Sequence, residues 1–103
     1  MNQNDPPTEH ILACLSSSPS NAKIVRTAAT MAKAFGGTFT ALYVRTPDSD
    51  QMGKEDCRRL QQHIRMAEQA GADISTIYGD DIPQQIAEFA RISGITKIVL
   101  GSS

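Results

Sequence analysis

Three consecutive serines, Ser16, Ser17 and Ser18, stand between an apolar run and the pair Pro19-Ser20 in this chain of 103 residues. Hydroxyls and open backbone N–H groups at a strand-to-helix bend suit a phosphate, and Ser18 is expected at the positive end of the next helix. Asn21, one turn along, adds a side-chain amide. Further on, Tyr43 offers a ring to stack on adenine and a hydroxyl to donate, and Arg45 offers a guanidinium for a phosphate oxygen.

Other chemistry-bearing residues have simpler explanations. Asp80-Asp81 before Ile82-Pro83 has the composition of a carboxylate pair or a divalent-metal seat, yet capping of a helix accounts for both residues. His10 and His63 have no spacing to cysteine or to each other that fits a metal motif, and both are expected at surface or boundary positions. Cys14 lies in an apolar run, where a thiol is a small buried hydrophobe. Cys57 stands beside Arg58 and Arg59, which favour the thiolate, but no reactive role is assigned to it. The chain contains no GxxxxGK[ST] loop, no G-x-S-x-G elbow and no histidine set beside a nucleophile. The expectation is a non-catalytic domain with no obligatory cofactor and no metal.

These candidates need a frame to hold them. His10 precedes a short continuous apolar run, Ile11 to Leu15, that reads as a parallel strand covered on both faces. Ser18-Pro19 reads as a helix start, Ile24, Val25, Ala28, Met31, Ala32 and Phe35 follow at helical spacing, and Gly36-Gly37 stops the helix. Thr38 to Val44 is rich in β-branched and aromatic residues and reads as a second strand, in which Phe39 is expected to pack in the core. After the loop RTPDSDQMG, a helix from Lys54 to Gly71 carries the stripe Leu60, Ile64 and Ala67. Ile74 to Tyr78 reads as strand three, a helix after Asp81 buries Ile86, Phe89 and Ala90 before Gly94, and Lys97 to Leu100 is strand four. The alternation predicts an α/β fold, a parallel twisted sheet with helices on both faces in the Rossmann-like manner, joined by right-handed crossovers. Ligands then bind beyond the carboxyl ends of the strands. The loops concerned are Ser16 to Ser18, Tyr43 to Arg45, Gly79-Asp80 and Gly101 to Ser103.

Composition narrows the function further. A length of 103 residues with 40% hydrophobic content suits one domain, placed from His10 to Ser103 after a polar tail, Met1 to Glu9, that contains Pro6-Pro7. Ten basic and eleven acidic residues leave a net charge of -1, too little positive field for DNA or RNA to be an expected partner. Apolar runs of about five residues fall far short of the roughly 20 needed to span a bilayer, and two dissimilar cysteines fit a reducing compartment. A cytoplasmic location without membrane insertion is expected.

The strings ILACLSSSPSNAKIVRTAATMAKAFGGTFTALYV and AGADISTIYGDDIPQQIAEFARISGITKIVLG resemble the universal stress protein domain of the potassium-responsive sensor histidine kinase KdpD. The likeness covers about Glu9 to Ser103. In free-standing universal stress proteins strand one usually ends in an aspartate that contacts the nucleotide, and Ser16 stands in that place here. Ser16-x-Ser18 is followed, after twenty intervening residues, by Phe39-Thr40-Ala41-Leu42-Tyr43. That pairing is similar to the signature by which some KdpD domains bind cyclic di-AMP. The resemblance thus implies nucleotide contacts at Ser16, Ser17, Ser18, Thr40, Ala41 and Tyr43, joined by Asn21 and Arg45, with Gly101 and Ser102 opening a phosphate loop. Because the chain ends at Ser103, before the glycine-rich loop, last helix and fifth strand of that family, the domain is expected to be C-terminally truncated. The implied role is that of a regulatory domain of the kinase, with cyclic di-AMP and the remainder of the kinase as partners. The alternatives are a docking module for stand-alone universal stress proteins and an ATP-binding universal stress protein. An open fourth-strand edge would also favour a homodimer.

Overall fold

The computed structural model describes residues 9–100; the polar tail before Glu9, and Gly101 and Ser102 among the expected contacts, lie outside the described residues. Four strands alternate with three α-helices: β1 His10–Cys14, α1 Asn21–Phe35, β2 Thr38–Arg45, α2 Lys54–Gln69, β3 Asp73–Tyr78, α3 Ile82–Ser93 and β4 Lys97–Val99. A 3-10 turn over Pro47–Gln51 interrupts the loop before α2. All pairings are parallel and the spatial order is β3-β2-β1-β4. The chain therefore moves outward from β1 through β3 and returns past it to β4, so the direction of winding reverses at β1.

Side-chain alternation divides the sheet into two unequal cores. Ile11, Ala13, Leu15, Phe39 and Ala41 pack with Val25, Ala28 and Ala32 of α1 and with Leu60 and Ala67 of α2. The opposite face buries Leu12, Leu42 and Val44 beneath Ile86, Phe89 and Ala90 of α3. Each fully buried side chain such as Ile11, Leu12 or Leu42 contributes roughly 1.5–3 kcal/mol of transfer free energy. Phe39 is in the core as its strand position requires. On the α3 side Ile86, Phe89 and Ala90 do face the sheet, but no α3 residue is fully buried. One helix covers that face alone, whereas α1 and α2 also shield each other.

Two helix starts differ from expectation in an informative way. α1 begins at Asn21, not at Ser18-Pro19, and its N-cap Ser20 makes no side-chain cap. The residues before it form a turn in which the Asn21 N–H donates to the Ser18 carbonyl at 3.0 Å. For α3 the cap is Asp81 alone, whose carboxylate accepts from the Gln84 N–H at 3.3 Å, while Asp80 stays exposed outside the helix.

The α1 to β2 turn needs both its glycines, for different reasons. Gly36 caps α1 in the left-handed region at φ 64°, and a Cβ on Gly37 would overlap the Glu9 carbonyl oxygen at the start of β1. We predict that Gly36→Ala costs about 1–2 kcal/mol, the usual penalty for a left-handed alanine. Gly37→Ala should cost more, because backbone must move; urea unfolding of the two variants decides the order.

Candidate functional site

Beyond Cys14 the chain leaves the sheet and is held by side chains from elsewhere. The Leu15 N–H still donates to the Leu42 carbonyl at 2.8 Å, which sets the bend level with Tyr43 on β2. Asn21, 1% exposed, then turns back from the first residue of α1: its Nδ2 donates to the Cys14 carbonyl at 2.8 Å and its Oδ1 accepts from the Ser16 N–H at 3.1 Å. The amide expected to reach a ligand is thus committed to closing the bend.

Helix α2 supplies two further holds. His63, 4% exposed, places Nδ1 2.7 Å from the Ser16 carbonyl oxygen. A carbonyl only accepts, so Nδ1 carries the proton. Arg59, one turn earlier, donates from Nη1 to the Ser17 carbonyl at 3.0 Å and lies 3.4 Å from Asp56. The expectation of a surface or boundary position for His63 is overturned, since α2 turns it inward beside Leu60 and Ala67 on the buried stripe. Its partner is a backbone carbonyl 47 residues away, for which residue types give no signal. His10 is half-buried and its Nδ1 lies 2.6 Å from Thr38 Oγ1, at the other end of the strands.

The bend forms one wall of a cleft of about 560 Å³, within the roughly 300–1,000 Å³ common for small-molecule sites. Ser16, Ser17, Ser18 and Asn21 line it, and so do Tyr43 on β2, Asp48 and Ser49 of the 3-10 turn and its flanking residues Thr46 and Met52. Ile82, Ile86, Val99 and Leu100 contribute apolar surface from α3 and the end of β4. Asp48 is the only charged residue among the described lining residues, so a phosphate here would meet neutral donors rather than lysine or arginine side chains.

Three expected contacts lie elsewhere. Thr40 and Ala41 pair with Leu12 and Ala13, too early along β2 to reach the cleft, and Ala41 is fully buried in the core. Arg45, in register with Tyr78 of β3, sets its guanidinium 4.8 Å from that ring's centroid instead of lining the cleft. Ser16, Ser17, Ser18, Asn21 and Tyr43 are brought together at the carboxyl rim of the sheet. Sequence reasoning missed the 3-10 wall, Arg59 and His63. Pro47 at the start of the 3-10 turn, after Thr46, was the available signal for the wall.

The model of the universal stress protein family matches residues 7–103. The chain belongs to the universal stress protein family. This universal stress protein domain is 38% identical over 96 residues to the sensor protein KdpD of Clostridium acetobutylicum, which covers 93% of the chain and 10% of that protein. It therefore spans about a tenth of the length of the curated relative it matches. The crystal structure of a universal stress protein in complex with cAMP aligns with a TM-score of 0.68 and 14% identity, over 90% of this chain and 71% of that one. The Archaeoglobus fulgidus universal stress protein in complex with dAMP aligns with a TM-score of 0.56 and 20% identity, over 89% and 78%. At these identities the likeness is one of fold.

Among the described residues no group of three histidine, cysteine or carboxylate side chains is placed to hold a metal, and no helix is long and apolar enough to cross a membrane. Burial pushes the Cys14 thiol up from its ordinary 9.0 to about 11, because the thiolate would lose solvation. The folded state then holds this proton more tightly than the unfolded chain does. Stability from this group is full below pH 9 and falls as pH rises from about 9 to about 11. Cys14→Ala should flatten that decline in denaturation curves recorded across the interval. A second expectation concerns Asn21: Asn21→Leu leaves the Ser16 N–H and the Cys14 carbonyl without their partner and should cost about 2 kcal/mol or more in urea unfolding.

Proposed function

We propose that this domain is a non-catalytic regulatory module of a KdpD-type sensor kinase, and that it receives a nucleotide, cyclic di-AMP, in the cleft at the carboxyl rim. The observation that carries the reading is the meeting of the serine bend with Tyr43 across one cleft. The bend offers hydroxyls and N–H groups for a phosphate, Tyr43 a ring and hydroxyl for a base, and Ile82, Ile86 and Val99 an apolar seat for a second base. Two relatives of the same fold were solved with adenine nucleotides, cAMP and dAMP. The reading is supported by the likeness to two sensor proteins KdpD, 38% and 30% identical over 93% and 88% of this chain.

A ligand of this kind regulates only by binding two arrangements of the sensor unequally, with the difference in affinity setting the shift. The potassium-responsive kinase is then biased from its cytoplasmic side. Proposed contacts are Ser16, Ser17, Ser18 and Tyr43, with Asn21 holding the bend. The domain itself runs from His10 through the last residue of the chain.

A second reading rests on a separate observation: Ile98 and Leu100, at the β4 edge, and Ile92 on α3 are exposed, by 72% in the case of Ile92. Apolar surface beside a strand edge suits docking of a stand-alone universal stress protein or a second copy of the domain.

Calorimetric titration with cyclic di-AMP, ATP, AMP and cyclic di-GMP separates the two readings. Binding of cyclic di-AMP in preference to the others, weakened about tenfold or more in Tyr43→Ala and Ser16→Ala, is the expected result. Heat from none of the four, together with co-elution of a universal stress protein, would favour docking.

A further inference from the structure

Peptide geometry ties the two α2 contacts to the donors in the cleft. The described residues contain no cis peptide bond, so each C=O in the bend points opposite the N–H of the following residue. His63 draws the Ser16 carbonyl toward α2, and Arg59 draws the Ser17 carbonyl the same way. The N–H groups of Ser17 and Ser18 are therefore turned away from α2. Ser18 N–H is taken by Ser16 Oγ at 3.2 Å. That leaves the Ser16 hydroxyl, which accepts this bond, with its own proton to donate. Ser17 N–H has no partner among the described residues.

We infer that Arg59 and His63 are positioning residues for an anion: by fixing two carbonyls on α2 they present the Ser17 N–H and the Ser16 hydroxyl as paired donors to a phosphate oxygen in the cleft. The inference deepens the nucleotide reading and rests on it for the ligand's identity, but the donor geometry belongs to the loop itself. Two properties suit the pair to this task. His63 is nine-tenths or more buried and sits within the packed stripe of α2, so its ring cannot swing away without disturbing the core. Arg59 also brings a positive charge to the back of the bend, whose lining carries none, and Asp56 at 3.4 Å steadies it. Asp48, Ser49 and Met52, which line the cleft, stand in the segment that leads into α2, the helix that grips the bend.

The test compares phosphate-bearing and phosphate-free ligands on the chain and three variants. His63→Leu removes the donor while keeping bulk. His63→Asn restores one near the place of Nδ1, and Arg59→Met acts at a half-exposed position where folding is safe. In His63→Leu and Arg59→Met, cyclic di-AMP and AMP should bind about tenfold more weakly or worse, the scale of a lost hydrogen bond to a charged group. Adenosine should bind as before, and His63→Asn should behave as the parent chain. Equal losses for adenosine and AMP would mark a merely structural role and overturn the inference. An NMR titration with inorganic phosphate separates it from the nucleotide reading. If no nucleotide binds but phosphate shifts the Ser17 amide in the parent chain and not in His63→Leu, the donor pair stands and the nucleotide proposal fails. If phosphate leaves the Ser17 amide unmoved, the inference falls.

Discussion

The bend after β1 depends on borrowed hydrogen bonds. A strand is satisfied by its neighbours and a helix by itself, but Ser16 and Ser17 lie between the two, where each buried polar group needs a specific partner. Asn21 closes the bend from α1 and the Arg59–His63 pair holds it from α2. With carbonyls drawn to one side, the hydroxyl and N–H side is left to the cleft. The site is consequently a product of three elements, and the serines alone would not make it.

The unequal cores explain where this rigidity comes from. α1 and α2 share the better-filled face, with Val25, Ala28 and Ala67 fully buried, and it is from this face that Asn21, Arg59 and His63 reach the bend. α3 rests on a smaller patch around Leu12, Leu42 and Val44, with its own residues half-exposed. Openings with low free energy are drawn from regions with few buried contacts. One wall of the cleft is therefore firm and the opposite wall, formed by Ile82, Ile86 and the end of β4, is lightly held.

Much of this was legible in the residues. The runs at Ile11 to Leu15 and Thr38 to Val44 gave their strands to within a residue or two, because a doubly covered parallel strand leaves a short apolar signature. Gly36 and Gly94 closed their helices as expected, both at positive φ. The meeting of Ser16, Ser17 and Ser18 with Tyr43 arose from the parallel register of β1 on β2. Ser18-Pro19 misled because a serine-proline pair serves a turn as well as a helix start. His63 was misread because its partner is a main-chain carbonyl, which every residue possesses. Thr40 and Ala41 belong to the quoted signature yet lie mid-sheet, where Ala41 is sealed beneath α1 and α2.

The placement of β4 beside β1 bears on how the chain acquires its shape. The His10 N–H bonds Thr96 Oγ1 across 86 positions of sequence, so β1, one of the two inner strands, gains its second neighbour only when almost all of the described chain has been synthesised. Sheets built from such distant pairings form slowly and expose unpaired edges meanwhile. On the ribosome, β1 with β2 and α1 can assemble early, yet one flank of β1 must wait for the arrival of Lys97–Val99. Until then the nascent domain is vulnerable to mispairing at its very centre.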